Sequence, residues 1–262
     1  MSCFTTIGTF SLITVVKGSK YVPPILPQPT AWYKFNINTD ICGNQPWLYY
    51  NYANGLYDAS LNSYSTYFPP AGNCFISTPA PPSTYISPTS YYVNGVGGTS
   101  GNYSIICRQN KIFTPSTGFT VCFWYNTSTI NGNGHQILSL TGGTGGTITS
   151  LAIYLQNTGN SVQCIVNGTI NNIYSPYGSN NIWYHLAFVF TPTGSSQILV
   201  TYYRNAVQLA STTIAQAFPS NVTFGTSQLG VTRTANTYTY DFRFFPNVLS
   251  RNEIYSIYNF TN

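Results

Sequence analysis

Charge is what this chain lacks most. Nine Lys and Arg and four Asp and Glu stand among 262 residues, 5% of the whole, where a typical soluble domain carries about 25%. The net charge of +5 is scattered. Only Lys17 with Lys20, and Arg108 with Lys111, lie near one another. Nucleic-acid binding needs a basic stripe, and none is present. Tyr and Phe are plentiful, but without interleaved cations they do not build a single-strand channel. No apolar run approaches the ~18 residues of a membrane-spanning helix. Residues Cys3–Val16 lack a basic leading region and a clean small-residue cleavage site, which argues against a secretory signal peptide.

The chemical motifs are missing too. No phosphate loop, nucleophile elbow or HExxH occurs. Gly142–Gly146 has no Lys-Ser/Thr after it and reads as a flexible hairpin loop. The six cysteines, at 3, 42, 74, 107, 122 and 164, include no CxxC pair, so a zinc ribbon or a thioredoxin-type site is not expected. Three disulfides are permitted and no pairing is selected. Cys122 and Cys164 fall inside strand patterns, where a buried free thiol is the plain reading. No cofactor is implied. A glycoside hydrolase needs two carboxylates at a fixed separation. The chain offers Asp40, Asp58, Asp241 and Glu253, with no E-x-D-x-E arrangement. Asp58, with Asn51, Asn54 and Asn62 nearby, is a weak calcium candidate; a loop aspartate bonding its own turn is the simpler reading. No other metal site is expected.

What is present is Asn, Ser, Thr and Tyr. Such a surface suits neutral partners, either sugars or other protein subunits, and little charge repels neighbouring copies. Residues 1–30 form an N-terminal arm. Its Pro-rich part, Tyr21–Thr30, has four prolines in ten residues and is extended and stiff. The body spans 31–262. Ala31–Ile37 alternates as a half-buried strand. A Tyr/Pro-rich insertion follows at about 40–95, with Trp47–Tyr50 and Gly55–Leu61 as short pieces able to pair at an edge. Ser104–Cys107, Phe119–Tyr125, Gln136–Leu140, Ile148–Leu155, Ser161–Val166, Gln197–Tyr203, Ala206–Leu209, Val222–Leu229 and Thr239–Phe245 read as strands.

The stretch Asn180–Phe190 begins at a turn, runs eight residues without Gly, Pro or charge, and reads as a strand covered on both faces. Trp183, His185, Ala187 and Val189 point one way; Tyr184, Leu186, Phe188 and Phe190 point the other. Leu249–Tyr258 is the one helix. Ser250 and Glu253 have capping-box spacing, and Ile254, Ile257 and Tyr258 share a face. The expected fold is all-β: a two-sheet antiparallel jelly-roll sandwich with one short C-terminal helix.

Three blocks carry a family resemblance: Phe119–Tyr125, Trp183–Phe190 with the Tyr203–Asn205 turn, and Tyr240–Tyr258, YDFRFFPNVLSRNEIYSIY. With them the chain resembles the laminin-G-like domains of the concanavalin A-like lectin/glucanase superfamily, over roughly Ala31–Asn262. It departs from that pattern at Asn205-Ala206, where Asn-Gly is usual, and at Pro246 and Asn247, where an Arg often precedes the Leu-Ser pair. The resemblance places His185 in a framework strand, so a satisfied, buried histidine is expected rather than a catalytic base. His135 reads as a surface loop residue. Asp241 and Arg243, two apart on one strand, read as a structural ion pair.

Two functions remain, and no enzyme is expected. The Asn/Tyr/Thr-rich character is similar to laminin-G-like domains in virion proteins of large DNA viruses. That likeness implies a capsid-associated structural subunit with other capsid proteins as partners. The alternative is a lectin-like module on a virion or cell surface. Its glycan or partner contacts would be Trp47, Tyr49, Tyr50, Tyr52 and Tyr57. Five N-x-S/T sequons, at Asn102, Asn126, Asn167, Asn221 and Asn259, matter only in a glycosylating compartment.

Overall fold

Aromatic and branched residues recurring at every second position make most of the described residues extended. The computed structural model describes residues 26–33, 41–42, 45–53, 55–63, 75–76, 92–94, 103–107, 117–127, 135–142, 150–156, 161–174, 176–216, 224–231 and 237–261. Within them lie β1 (Ala31–Tyr33), β2 (Ile41–Cys42), β3 (Gln45–Asn51), β4 (Leu56–Ser63), β5 (Phe75–Ile76), β6 (Tyr92–Asn94), β7 (Tyr103–Cys107), β8 (Phe119–Thr127) and β9 (His135–Gly142). Then follow β10 (Ser150–Gln156), β11 (Ser161–Val166), β12 (Thr169–Tyr174), β13 (Tyr184–Pro192), β14 (Ile198–Arg204), β15 (Val207–Ile214), β16 (Phe224–Val231), β17 (Thr237–Phe245) and the helix α1 (Arg251–Thr261). Residues 1–25 of the arm, Lys34–Ile37 of the first expected strand and most of the Tyr/Pro-rich insertion lie outside the described residues.

The strands form two sheets. One has eight strands in the order β15-β14-β13-β8-β17-β6-β5, with β1 also on β17; the other has nine, β12-β11-β10-β9-β16-β7-β4-β3-β2. Neighbouring strands pair antiparallel, as in β8 against β13 and β10 against β11. The stretch singled out in the sequence, now β13, lies inside the eight-stranded sheet, between β14 and β8.

Both faces of β13 are covered, as its composition requires. Leu186, Phe188 and Phe190 join the main core with Phe119, Val121 and Phe123 of β8 and Val162, Cys164 and Val166 of β11. This is the layer between the sheets. Phe119 stacks on Phe190 at 4.3 Å between centroids, and Phe188 on Tyr202 at 5.2 Å. Ala187 and Val189 join a second cluster with Cys122, Phe245, Leu249, Ile254 and Ile257. Here α1 lies on the outer face of the sheet. Each fully buried Ile or Leu stabilises by about 1.5–3 kcal/mol. A helix of 11 residues is marginal alone, so this packing holds it.

The helix begins where the sequence places its cap. Ser250 N donates to Glu253 Oε2 at 2.7 Å, and Glu253 N donates back to Ser250 Oγ at 3.3 Å. Thr120 anchors the approach: its Oγ1 donates to Asn247 O and accepts from Leu249 N, each at 3.0 Å. Gly118, at φ +79, precedes β8 because a Cβ there would lie 2.5 Å from Phe190 O. Replacing Ser250 by Ala removes one orphan-amide acceptor and is expected to cost about 1 kcal/mol, read as a lower denaturant midpoint at unchanged slope.

His135, expected in a loop, is the first residue of β9, and β12 and the β14–β15 turn also differ from expectation. β12 was not read from the sequence, although Asn167-Gly168, at φ 49 and 80, is the two-residue turn that joins it to β11. The turn between the expected strands Gln197–Tyr203 and Ala206–Leu209 lies one residue later than they imply, at Asn205-Ala206, since Arg204 pairs with Val207. Both turn residues have positive φ, 51 and 60. An Asn-Gly pair is therefore not required for this primed turn. Ala206 is buried in the cluster under α1, and that packing offsets its backbone strain. Asn205 is held twice on β13: His185 N donates to Asn205 Oδ1 at 2.9 Å, and Asn205 N donates to His185 O at 2.8 Å. Among the described residues no helix is long and apolar enough to cross a membrane.

Candidate functional site

The acidic residues come first, because hydrolysis would need them. Asp241 sits at an irregularity of β17, where the register against β8 shifts between Tyr240 and Arg243, and has φ 50. That kink turns its carboxylate onto Arg243. Arg243 Nε and Nη2 both donate to Asp241 Oδ1 at 3.2 Å, and Nη2 lies 3.1 Å from Oδ2. Both side chains are 2% exposed. Trp32 of β1 donates its indole N–H to the same Oδ1 at 2.7 Å. The Arg243 guanidinium lies over the Trp32 ring at 4.3 Å and near the Phe260 ring at 5.8 Å. This is the structural ion pair that the sequence suggested. Trp32 is the partner that sequence reasoning missed. Its one local signal is a Trp on the face of a short strand opposite Tyr33.

Glu253 is held in the capping box. Two of the four carboxylates are thus committed to structure. Asp40 lies outside the described residues. Asp58 is in strand β4 rather than a loop, at the irregularity where Tyr49 faces Ala59 and Tyr50 faces Tyr57. Among the described residues no three His, Cys, Asp or Glu gather where a metal ion could be held. Cys122 and Cys164 are free and buried, and burial pushes both thiols up to about 12. They pack as small apolar groups.

The expected contact residues converge on one hairpin. Trp47, Tyr49 and Tyr50 lie on β3, Tyr57 lies on β4 directly opposite Tyr50, and Tyr52 follows β3 in the turn. The hairpin is the outer part of the nine-stranded sheet, with only β2 beyond it among the described residues. Tyr52 is half-buried; its ring is 5.7 Å from that of Trp32, and its amide donates to Trp32 O at 2.8 Å. Tyr52 therefore ties the hairpin to the Trp32–Asp241–Arg243 cluster.

His185 is 1% exposed. It lies edge-on to Trp124 at 5.4 Å and beneath Tyr258 of α1 at 5.7 Å. Burial, and secondarily the Arg243 charge, hold it down at about 3. A histidine held neutral by burial is poorly placed to take up a proton at neutral pH. The sequence expectation of a buried framework residue is borne out. The expectation of a satisfied one is not, because neither ring nitrogen has a hydrogen-bond partner among the described residues.

One surface feature escaped the sequence reading. Before β13 the chain folds over Tyr184: Ser179 N donates to Tyr184 Oη at 3.0 Å, and Tyr177 Oη donates to Asn180 Oδ1 at 2.6 Å. Arg204 Nη1 donates to Tyr177 O at 2.5 Å while its guanidinium lies 5.0 Å from the Tyr184 ring centre. Gly178 is needed there, since a Cβ would come within 2.6 Å of that ring. The result is a fixed ledge of exposed Ser179, Asn180 and Asn181 on a tyrosine base.

The fold has relatives. A family model, Laminin_G_3, described as the concanavalin A-like lectin/glucanases superfamily, matches residues 97–255, more than half of the chain. Among solved structures, the chain is similar to one titled "Cell entry of botulinum neurotoxin type C is dependent upon interaction with two ganglioside molecules", at TM-score 0.61 and 14% identity, over 88% of this chain and 51% of that one. It is also similar to the binding domain of botulinum neurotoxin DC in complex with rat synaptotagmin II, at TM-score 0.59 and 15% identity, over 88% and 51%. The same domain in complex with SialylT gives TM-score 0.58 and 14% identity, over 88% and 51%. This chain spans about half the length of those structures, and at such identity the likeness is one of fold. No curated protein matches the sequence.

Proposed function

This chain belongs to the concanavalin A-like lectin/glucanases superfamily, and from that premise we propose that it is a non-enzymatic recognition module for a neutral carbohydrate. One observation carries the reading: Asp241 and Glu253, which could have served as acid or base, are spent on an ion pair and a helix cap. The remaining chemistry is aromatic faces, hydroxyls and amides, which stack on sugars and bond their hydroxyls. Solved relatives of this fold whose titles name gangliosides or SialylT support carbohydrate as the broad ligand class, while neutrality is argued from the low charge of this chain. The recognition surface is the β3–β4 hairpin with Trp47, Tyr49, Tyr50 and Tyr57, while Tyr52 anchors it. A calcium ion at Asp58 is not part of the proposal.

Immobilised neutral glycans are expected to retain the wild-type chain. Trp47→Ala with Tyr49→Ala is expected to weaken that retention at least tenfold, about 1.4 kcal/mol, at an unchanged melting temperature. Equal retention by the double variant would remove the hairpin as the site.

A second reading is favoured by the edge of the eight-stranded sheet. β15, VQLASTTI, carries neither charge nor proline, two of the usual guards on an open edge. With so little repulsive charge, this edge suits a subunit packed in a larger assembly, such as the capsid of a large virus. Concentration-dependent assembly in sedimentation experiments, abolished by Thr212→Lys, is the expected result. A monomer at all concentrations would count against it.

A further inference from the structure

Among the buried polar side chains of the eight-stranded sheet, His185 and Asn126 are diagonal neighbours whose polar atoms its packing does not explain. His185 on β13 faces Trp124 on β8, which in turn faces Tyr240 on β17. Asn126 lies two residues along β8 from Trp124, on the same face, and is 1% exposed. Among the described residues, neither Nδ2 nor Oδ1 of Asn126 has a hydrogen-bond partner, and neither Nδ1 nor Nε2 of His185 has one. Leaving a buried polar group unmet costs about 1–3 kcal/mol, and here four such atoms occur on two diagonal neighbours. Diagonal positions across a sheet are roughly 7 Å apart. That is about the span of one oxygen making a hydrogen bond of about 2.8 Å to each side.

We propose that Asn126 and His185 form the floor of an internal site for one uncharged, hydroxyl-bearing molecule, walled by Trp124 and Tyr258. The polar complement fits a hydroxyl. A neutral imidazole offers one donor and one acceptor, and the amide offers both. An ion does not fit, because aromatic walls leave its charge unsolvated and the neighbouring Arg243 is already matched by Asp241. The half-buried Trp183 and Tyr258, which pack on Trp124 and Tyr240, form the rim. The guest is a water molecule or the hydroxyl of a neutral sugar; the chemistry is shared and the source is decided by experiment. This site is separate from the β3–β4 hairpin, so the failure of either leaves the other standing.

The test compares wild type with Asn126→Leu and His185→Phe at neutral pH. If the polar atoms were unmet, apolar replacements would relieve them and raise the melting temperature. The occupied site predicts a fall of several degrees in each variant. On the wild type itself, nuclear Overhauser contacts from the His185 ring protons to a long-lived water are expected if water is the guest. Titration with glucose and galactose, followed by tryptophan fluorescence, identifies a sugar guest if the response disappears in Asn126→Leu. Higher melting temperatures in both variants, or neither a long-lived water nor a sugar response, would overturn the proposal.

Discussion

Arg243→Met is expected to lower the unfolding free energy by about 3–5 kcal/mol, because it leaves the buried Asp241 carboxylate without its counter-ion. The other candidate losses are smaller. The guanidinium over Trp32, at 4.3 Å, contributes about 2 kcal/mol when desolvated, and methionine keeps part of the packing. The uncompensated charge therefore dominates. A second substitution separates the terms. Asp241→Asn keeps a residue that tolerates the left-handed backbone at φ 50, and it removes the charge. The double variant Asp241→Asn/Arg243→Met is thus expected to be more stable than Arg243→Met alone. Urea unfolding of the four proteins of this cycle gives the coupling directly. Simple additivity would mean that the pair acts as two unrelated side chains.

Acid should unfold this protein through His185. Its folded value is held at about 3 against an ordinary value of 6.5, so the unfolded chain binds the proton first. Stability is complete above pH 6.5 and falls as the pH drops from 6.5 towards 3. By pH 5 the loss from this group is about 2 kcal/mol, and across the full window it is on the order of 4–5 kcal/mol. The difference in slope between wild type and a variant at this one position isolates His185. A His185→Gln variant is expected to lose this slope between pH 7 and pH 5. A variant with the same slope as wild type would show that His185 is accessible to protons in the folded state.

The parts of the fold that were legible depend on short-range regularity. The apolar run of β13 and the FTVCFWY run of β8 announce strands buried on both faces, and Ser250 with Glu253 announces a helix start. Asp241 and Arg243 are two residues apart and could be paired by eye. What was hidden is long-range. Trp32 meets Asp241 across 209 positions of sequence, and no local pattern records that. Thr120 similarly holds Leu249 across 129 positions. β12 was missed for another reason: TINNIY is polar at an edge, so it lacks the alternation of a half-buried strand. Its exposed pattern along the strand shows why its hydropathy was silent, and the Asn167-Gly168 turn was the better clue.

The candidate site was less legible than the fold. Tyr-rich composition pointed to the region of the β3–β4 hairpin, but anchoring of Tyr52 on Trp32 depends on strand order. The orphan polar atoms of His185 and Asn126 depend on what the helix and neighbouring strands bring over them. Composition can rule a class of chemistry in or out; only the assembled sheets show which polar groups remain unspent.

One measurement bears on the central claim more than any other. The wild-type chain is incubated with a panel of neutral oligosaccharides, and retained glycans are recovered and analysed for chain length. A recognition module without catalytic carboxylates retains some members of the panel and returns them intact. Shortened products, or no retention of any neutral glycan, would contradict the account.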